Sequence, residues 1–215
     1  MADDLLVKLA DKSLTKEGLR RRVEQDFGLL PVLLEGTGSA KAAVRYGCAK
    51  ALMDLSAEHP EQLYPYMDSF IALLDSKYRI LTWNALAIIA NLAAVDGDKK
   101  FDAAFDKYYG FLDNEYMVTV ANTVGNSGKI ALAKPYLTPR ITAELLKVED
   151  VSLSPHLTEE CKRVIAEKAV ETFDVFFDKL EEKEKKKVLA FVERQLHNPR
   201  RTLSMKAAGF LEKRR

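Results

Sequence analysis

A helical pattern that returns at a fixed offset constrains this chain more than any other feature. Val44, Cys48, Leu52 and Leu55 are matched 37 residues later by Leu81, Ala85, Ile89 and Leu92. Apolar residues at such spacing lie along one side of an α-helix. Residues 63–94 hold one complete cycle: Leu63-Tyr64-Pro65-Tyr66, then Phe70, Ile71, Leu73 and Leu74, a break at Asp75-Ser76-Lys77, and a second helix over 80–93. In that helix Leu81, Ala85, Ile88 and Leu92 form a single stripe, and nearly every other position is also small or apolar. Such a helix needs cover on several sides. A lone helical hairpin cannot supply it, whereas stacked repeats can.

Prolines keep the same rhythm. Pro31 and Pro65 are 34 apart, and Pro65 and Pro135 are 70 apart, twice 35. Proline suits the first turn of a helix, where a backbone N–H has no intrahelical partner in any case. The chain therefore reads as a single repeat domain over 1–215, with units at about 15–58, 61–95, 100–129, 134–178 and 181–215. A short leading helix over 3–10 presents Leu5, Leu6 and Leu9, and Thr15 is the cap of the next helix. The third unit joins Phe101, Phe105, Tyr108 and Leu112 to a second helix over 116–127. In the fourth, Ser154-Pro155 reads as an N-cap and first helical position, leading into a helix over about 158–178.

The prolines near the starts of first helices, and second helices of the form Val44-Arg45-Tyr46-Gly47-Cys48-Ala49-Lys50-Ala51-Leu52, resemble the HEAT and armadillo families of α-solenoids over about residues 29–211. The resemblance implies an all-α fold, an α-α superhelix of about five stacked helical hairpins, with the second helices lining one concave side. A four-helix bundle is the structural alternative, and the repeated offset argues against it.

Three polar positions recur near the ends of second helices: Asp54, Asn91 and Asn126, separated by 37 and 35 residues. Asparagine competes for backbone hydrogen bonds and is disfavoured in helix interiors, so its presence asks for a reason. Asn91-Leu92-Ala93 is similar to the asparagine motif of armadillo repeats, whose amides hold the backbone of an extended peptide in the inner groove. The tryptophan of that motif stands four residues earlier; here position 87 is Ala87, and Trp83 lies eight before Asn91. Trp83 is a candidate contact aromatic, because tryptophan is enriched at binding hot spots. A purely structural asparagine ladder is the competing interpretation.

Charge is uneven along the chain: net +2 over 1–53, −6 over 54–115, −2 over 116–178 and +7 over 179–215. The acidic middle favours a partner with a basic segment. The basic end, with Lys185, Lys186, Lys187, Arg200 and Arg201, could contact phosphates or form a polar cap of the array. Arg20-Arg21-Arg22 is a further basic cluster.

Chemistry-bearing motifs are weak. Gly125-Asn126-Ser127-Gly128-Lys129 shares the tail of a phosphate loop, but Thr123 and Ile130 occupy its defining positions, and a glycine helix stop is the expected structure. Asp96-Gly97-Asp98 lacks the later calcium-loop ligands, with Phe101 and Lys107 in their places, and reads as a turn. His59, His156 and His197 are far apart in sequence and read as surface residues; Cys48 and Cys161 read as buried thiols. No catalytic residue, metal site or cofactor is expected. The segment Met1-Ala2-Asp3-Asp4-Leu5-Leu6 has neither the basic flank nor the apolar run of a signal peptide, and no stretch reaches the length of a membrane span. Cytoplasmic localisation, with no membrane partner, is the expectation. The leading expectation for function is a non-enzymatic scaffold that binds a protein or extended peptide. The alternative is a nucleic-acid-binding protein similar in architecture to the alkylpurine DNA glycosylases.

Overall fold

The computed structural model describes residues 2–214; Met1 and Arg215, which end the leading segment and the last basic run, lie outside the described residues. The chain separates into two compact units, one reaching Ala104 and the other starting at Phe105. Among the described residues there is no strand, only an isolated bridge between Ser154 and Leu157. No helix is long and apolar enough to cross a membrane, again among the described residues.

The first unit contains α1 (Ala2–Ala10), α2 (Lys16–Gln25), α3 (Leu30–Gly36), α4 (Ala42–Glu58), α5 (Pro60–Leu63), α6 (Met67–Leu73) and α7 (Arg79–Leu92). Thr15 caps α2 as its sequence position suggests, its Oγ1 accepting from the Gly18 N–H at 3.0 Å. Pro31 lies in the first turn of α3, where the chain restarts after a 3-10 turn over Phe27–Leu29. The first helix of each pair is thus broken at proline, and the second, α4 or α7, runs unbroken. α3 and α2 pack on α4, α6 packs on α7, and α4 packs on α7. The two equivalent stripes, Val44-Cys48-Leu52-Leu55 and Leu81-Ala85-Ile89-Leu92, are all buried. A large apolar side chain buried in this way stabilises by about 1.5–3 kcal/mol.

Leu5 and Leu9 bury α1 against this unit. Gly36 permits the close approach, because a Cβ there would lie 2.5 Å from Cys48 Sγ and 3.1 Å from Leu6 Cδ2. Burial pushes the Cys48 thiol up to about 12, which leaves it a packing group. α8 (Lys100–Tyr109) spans the division between the units. The Asp96-Gly97-Asp98 turn ahead of it is a helix cap: Asp96 accepts from the N–H groups of Lys100 and Phe101 at 2.8 and 2.9 Å and from the Tyr64 hydroxyl at 2.8 Å.

The second unit contains α9 (Met117–Ala133), α10 (Thr138–Leu146), α11 (Glu159–Phe176), α12 (Glu182–Arg194) and α13 (Arg201–Glu212). α9 packs on α11, α11 on α13, and α12 on both α10 and α13. Three expectations are corrected here. The glycines at 125 and 128 do not stop a helix, since α9 runs through both. Gly128 packs closely on α11: a Cβ there would meet Val175 at 3.3 Å, tighter than an ordinary contact. Ser154-Pro155 is not the start of α11. Ser154 and Leu157 exchange backbone hydrogen bonds at 3.0 Å to close a turn, and Thr158 caps the helix by accepting from the Cys161 N–H at 3.3 Å. Cys161, in that first turn, is half-buried and not a core thiol.

Candidate binding face on the second helices

The buried stripes of α4 and α7 fix which side each helix leaves open. On α4 the open side carries half-buried Tyr46, exposed Lys50 and half-buried Asp54; on α7 it carries half-buried Trp83, Ala87 and Asn91. These form matched pairs 37 residues apart: Tyr46 with Trp83, Lys50 with Ala87, Asp54 with Asn91. Residues four apart lie one above the other on a helix, so each trio is a ridge. Asp54, Trp83 and Asn91 therefore share one face of the first unit, whereas Asn126 belongs to the second.

Local bonding differs between these groups. Lys50 and Asp54 form an ion pair on their own helix. The Asn91 amide donates to Ser56 Oγ at 2.9 Å, and the buried Ser56 hydroxyl donates to the Met53 carbonyl at 2.7 Å. Part of the Asn91 amide is thus engaged in tying α7 to α4. The Asn126 amide donates to the Asn122 carbonyl of its own helix at 2.9 Å, as Asn122 does to Val118 at 2.8 Å. Asn126 is half-buried.

Sequence reasoning missed Tyr46, although the offset applied to Trp83 points to it. Tyr46 is firmly held: the buried Arg45 guanidinium lies 4.7 Å from its ring and 3.7 Å from that of Tyr78, and donates to the carbonyls of Ser39 and Ala40 at 2.7 and 3.2 Å. Cation–π contact and carbonyl bonds together fix the loop ahead of α4 to the aromatic pair.

The basic end is largely internally paired. Arg200 bonds Glu167 at 2.5 Å and also Glu160; Lys206 bridges Glu167 and Glu171; Lys213 and Arg214 hold Asp174 at 2.7 and 2.5 Å. Arg194 grips Glu149 with two bonds, at 3.0 and 2.6 Å. The contacts of Arg200, Lys206, Lys213 and Arg214 make a ladder that fastens α13 to α11, and Arg194 ties α12 to the turn after α10. Burial alone would push the Glu167 carboxyl up, but hydrogen bonds from Lys206, Arg200 and Thr202 outweigh it and hold the group down at about 2. Of the phosphate-contact candidates, Lys185 bonds Glu182 at 3.0 Å and Arg200 lies in the ladder. Lys186, Lys187 and Arg201 are exposed and have no side-chain partner among the described residues.

His59 is half-buried, not a plain surface residue, and folding gathers it with Glu24 and Glu58, their ligand-type atoms within 4.8 Å of one another. The Arg20 guanidinium lies 2.5 Å from Glu58 and 3.5 Å from Glu24. It supplies the cation these carboxylates require, so the cluster is an ion-pair network.

No family model matches the sequence, and no curated protein matches it. Solved structures do. A designed armadillo repeat protein is 19% identical over 98% of this chain and 92% of its own, with a TM-score of 0.59. Computationally designed armadillo repeat proteins for modular peptide recognition give 21% identity, 96% and 89% coverage and a TM-score of 0.65. A designed armadillo repeat protein in complex with a (KR)4 peptide gives 16% identity, 96% and 90% coverage and a TM-score of 0.59. Matching offsets, proline-led first helices and these likenesses converge: the chain has the all-α, armadillo-like repeat fold of an α-solenoid.

Proposed function

We propose that this protein is a non-enzymatic scaffold that holds an extended polypeptide segment against the open ridges of its second helices. One observation carries the proposal: α4 and α7 leave Tyr46-Lys50-Asp54 and Trp83-Ala87-Asn91 at least partly exposed at equivalent positions. A backbone laid across such ridges meets an aromatic and a hydrogen-bonding group from each repeat. The net charge of −6 over 54–115 supports a partner with a basic segment. Similarity to designed armadillo proteins, one of them complexed with a (KR)4 peptide, is consistent with that class of ligand. Exposed Lys186, Lys187 and Arg201 support a second reading, contact with nucleic-acid phosphates at the C-terminal end.

The test is selection of a binding peptide from a random dodecamer display library, followed by affinity measurement on variants. Leaving a peptide backbone group unpaired costs about 1–3 kcal/mol, so Asn91→Ala weakens binding roughly 5- to 150-fold. Ser56→Ala is the control, because it removes the structural partner of Asn91 and leaves the amide in place. Equal affinity for wild type and Asn91→Ala, with stability lowered alike in both variants, would make Asn91 a helix tie and overturn its assigned role.

A further inference from the structure

Between α11 and α13 of the second unit lies an open cavity of about 290 Å³. Val170 and Phe210 are its apolar floor, and Glu171, Asp174, Lys206 and Lys213 form its rim. Gly209 of α13 also lines it, and apart from its chain neighbours and its own helix backbone no atom lies within 4 Å of the place its Cβ would take. Folding does not explain this glycine. It lies inside a regular helix, no glycine among the described residues has a positive φ, and nothing crowds it as Cys48 crowds Gly36. Glycine within a helix is less favourable than alanine, so the position gives up helix propensity and leaves a volume empty.

Charge at the rim narrows what can enter. Lys206 is bonded to Glu167 and Glu171, and Lys213 to Asp174. A charged guest would have to break one of these pairs, whereas a neutral one would not. An apolar cavity of ~150 Å³ accepts benzene, so this one has room for an indole or a long aliphatic group. Exposed Met205 lies one turn before Gly209 on the same helix. We infer that this cavity is a socket for one large neutral side chain, aromatic or long aliphatic, of a bound polypeptide. The inference rests on the proposed peptide-binding function and assigns the second unit a specificity position of its own, Gly209.

Saturation-transfer NMR with N-acetyl amides of tryptophan, leucine, lysine and glutamate tests the socket without any bound peptide. Wild type should transfer saturation to the tryptophan and leucine amides and not to the charged pair. Gly209→Leu fills the cavity and should weaken the apolar signals roughly tenfold or more. Its melting temperature should stay level or rise, because leucine is the better helix former. Gly209→Ala, a milder filling, should give a partial loss at a melting temperature no lower than wild type, and it decides the matter should the leucine variant misfold. No transfer to any amide, equal transfer to the charged ones, or apolar signals unchanged in these variants would overturn the socket. Peptide binding that is lost in Asn91→Ala, in a protein that ignores the amides, would retain the binding face and remove only the socket.

Discussion

Glu167 is the most connected side chain of the ladder, and Glu167→Gln measures what that ladder contributes. The substitution keeps the shape and removes the charge shared by Arg200, Thr202 and Lys206. The carboxyl falls from 4.5 to about 2 on folding. At about 1.4 kcal/mol per unit, that is at most about 3–4 kcal/mol. The Lys206 side chain is 40% exposed, so solvent screening lowers the expectation to about 1–2 kcal/mol. For a chain of this size the loss shifts the melting temperature by about 2–8 °C. The sign of the pH dependence follows from the depressed folded value. The contribution is fully present above 4.5 and is lost as pH falls from there towards 2. Urea unfolding of both proteins, followed by circular dichroism at pH 7, 4 and 2.5, reads it directly. The gap between wild type and Glu167→Gln should be full at pH 7 and largely gone at pH 2.5. A gap of the same size at both extremes would show that the carboxylate charge is not what the ladder uses.

Gly36→Ala should destabilise by about 1–3 kcal/mol in a urea titration, because its methyl meets Cys48 Sγ; Cys48→Ala in the same chain should recover part of the loss. Ile89→Ala and Leu92→Ala, both fully buried, should each cost about 2–5 kcal/mol by the same measurement. Charge reversal at Lys186 and Lys187 should leave the melting temperature nearly unchanged. If the basic end contacts phosphates, it should also lower binding of a labelled DNA or RNA oligonucleotide and flatten its salt dependence.

The repeat was legible because burial imposes it: Leu81, Ala85, Ile89 and Leu92 must point the same way as Val44, Cys48, Leu52 and Leu55 to share a core. Proline positions were legible because the missing N–H acts locally. Gly125 and Gly128 were misread since a glycine that lies close against Lys168 or Val175 of α11 looks, in sequence, like one that ends a helix. Only the partner helix distinguishes the two. The basic end showed a net charge but not its destination, for Arg200, Lys206 and Lys213 reach carboxylates 33 to 40 residues away. Of the candidate positions, spacing singled out Asp54, Asn91 and Asn126 and residue type singled out Trp83, whereas the fixed aromatic at Tyr46 depends on Arg45 and Tyr78 coming together.

The half-buried indole on α7 belongs to the single tryptophan of the chain. All tryptophan emission from this protein therefore originates at one place, on the ridge shared with Asn91. A tryptophan-free ligand that covers Trp83 should move that emission to shorter wavelength and protect it from a soluble quencher such as iodide. The cavity beside Gly209 holds no tryptophan and stays dark in the same experiment. Fluorescence thus reports occupancy of the first unit alone, without any attached dye, while ligand-observed NMR reports the second.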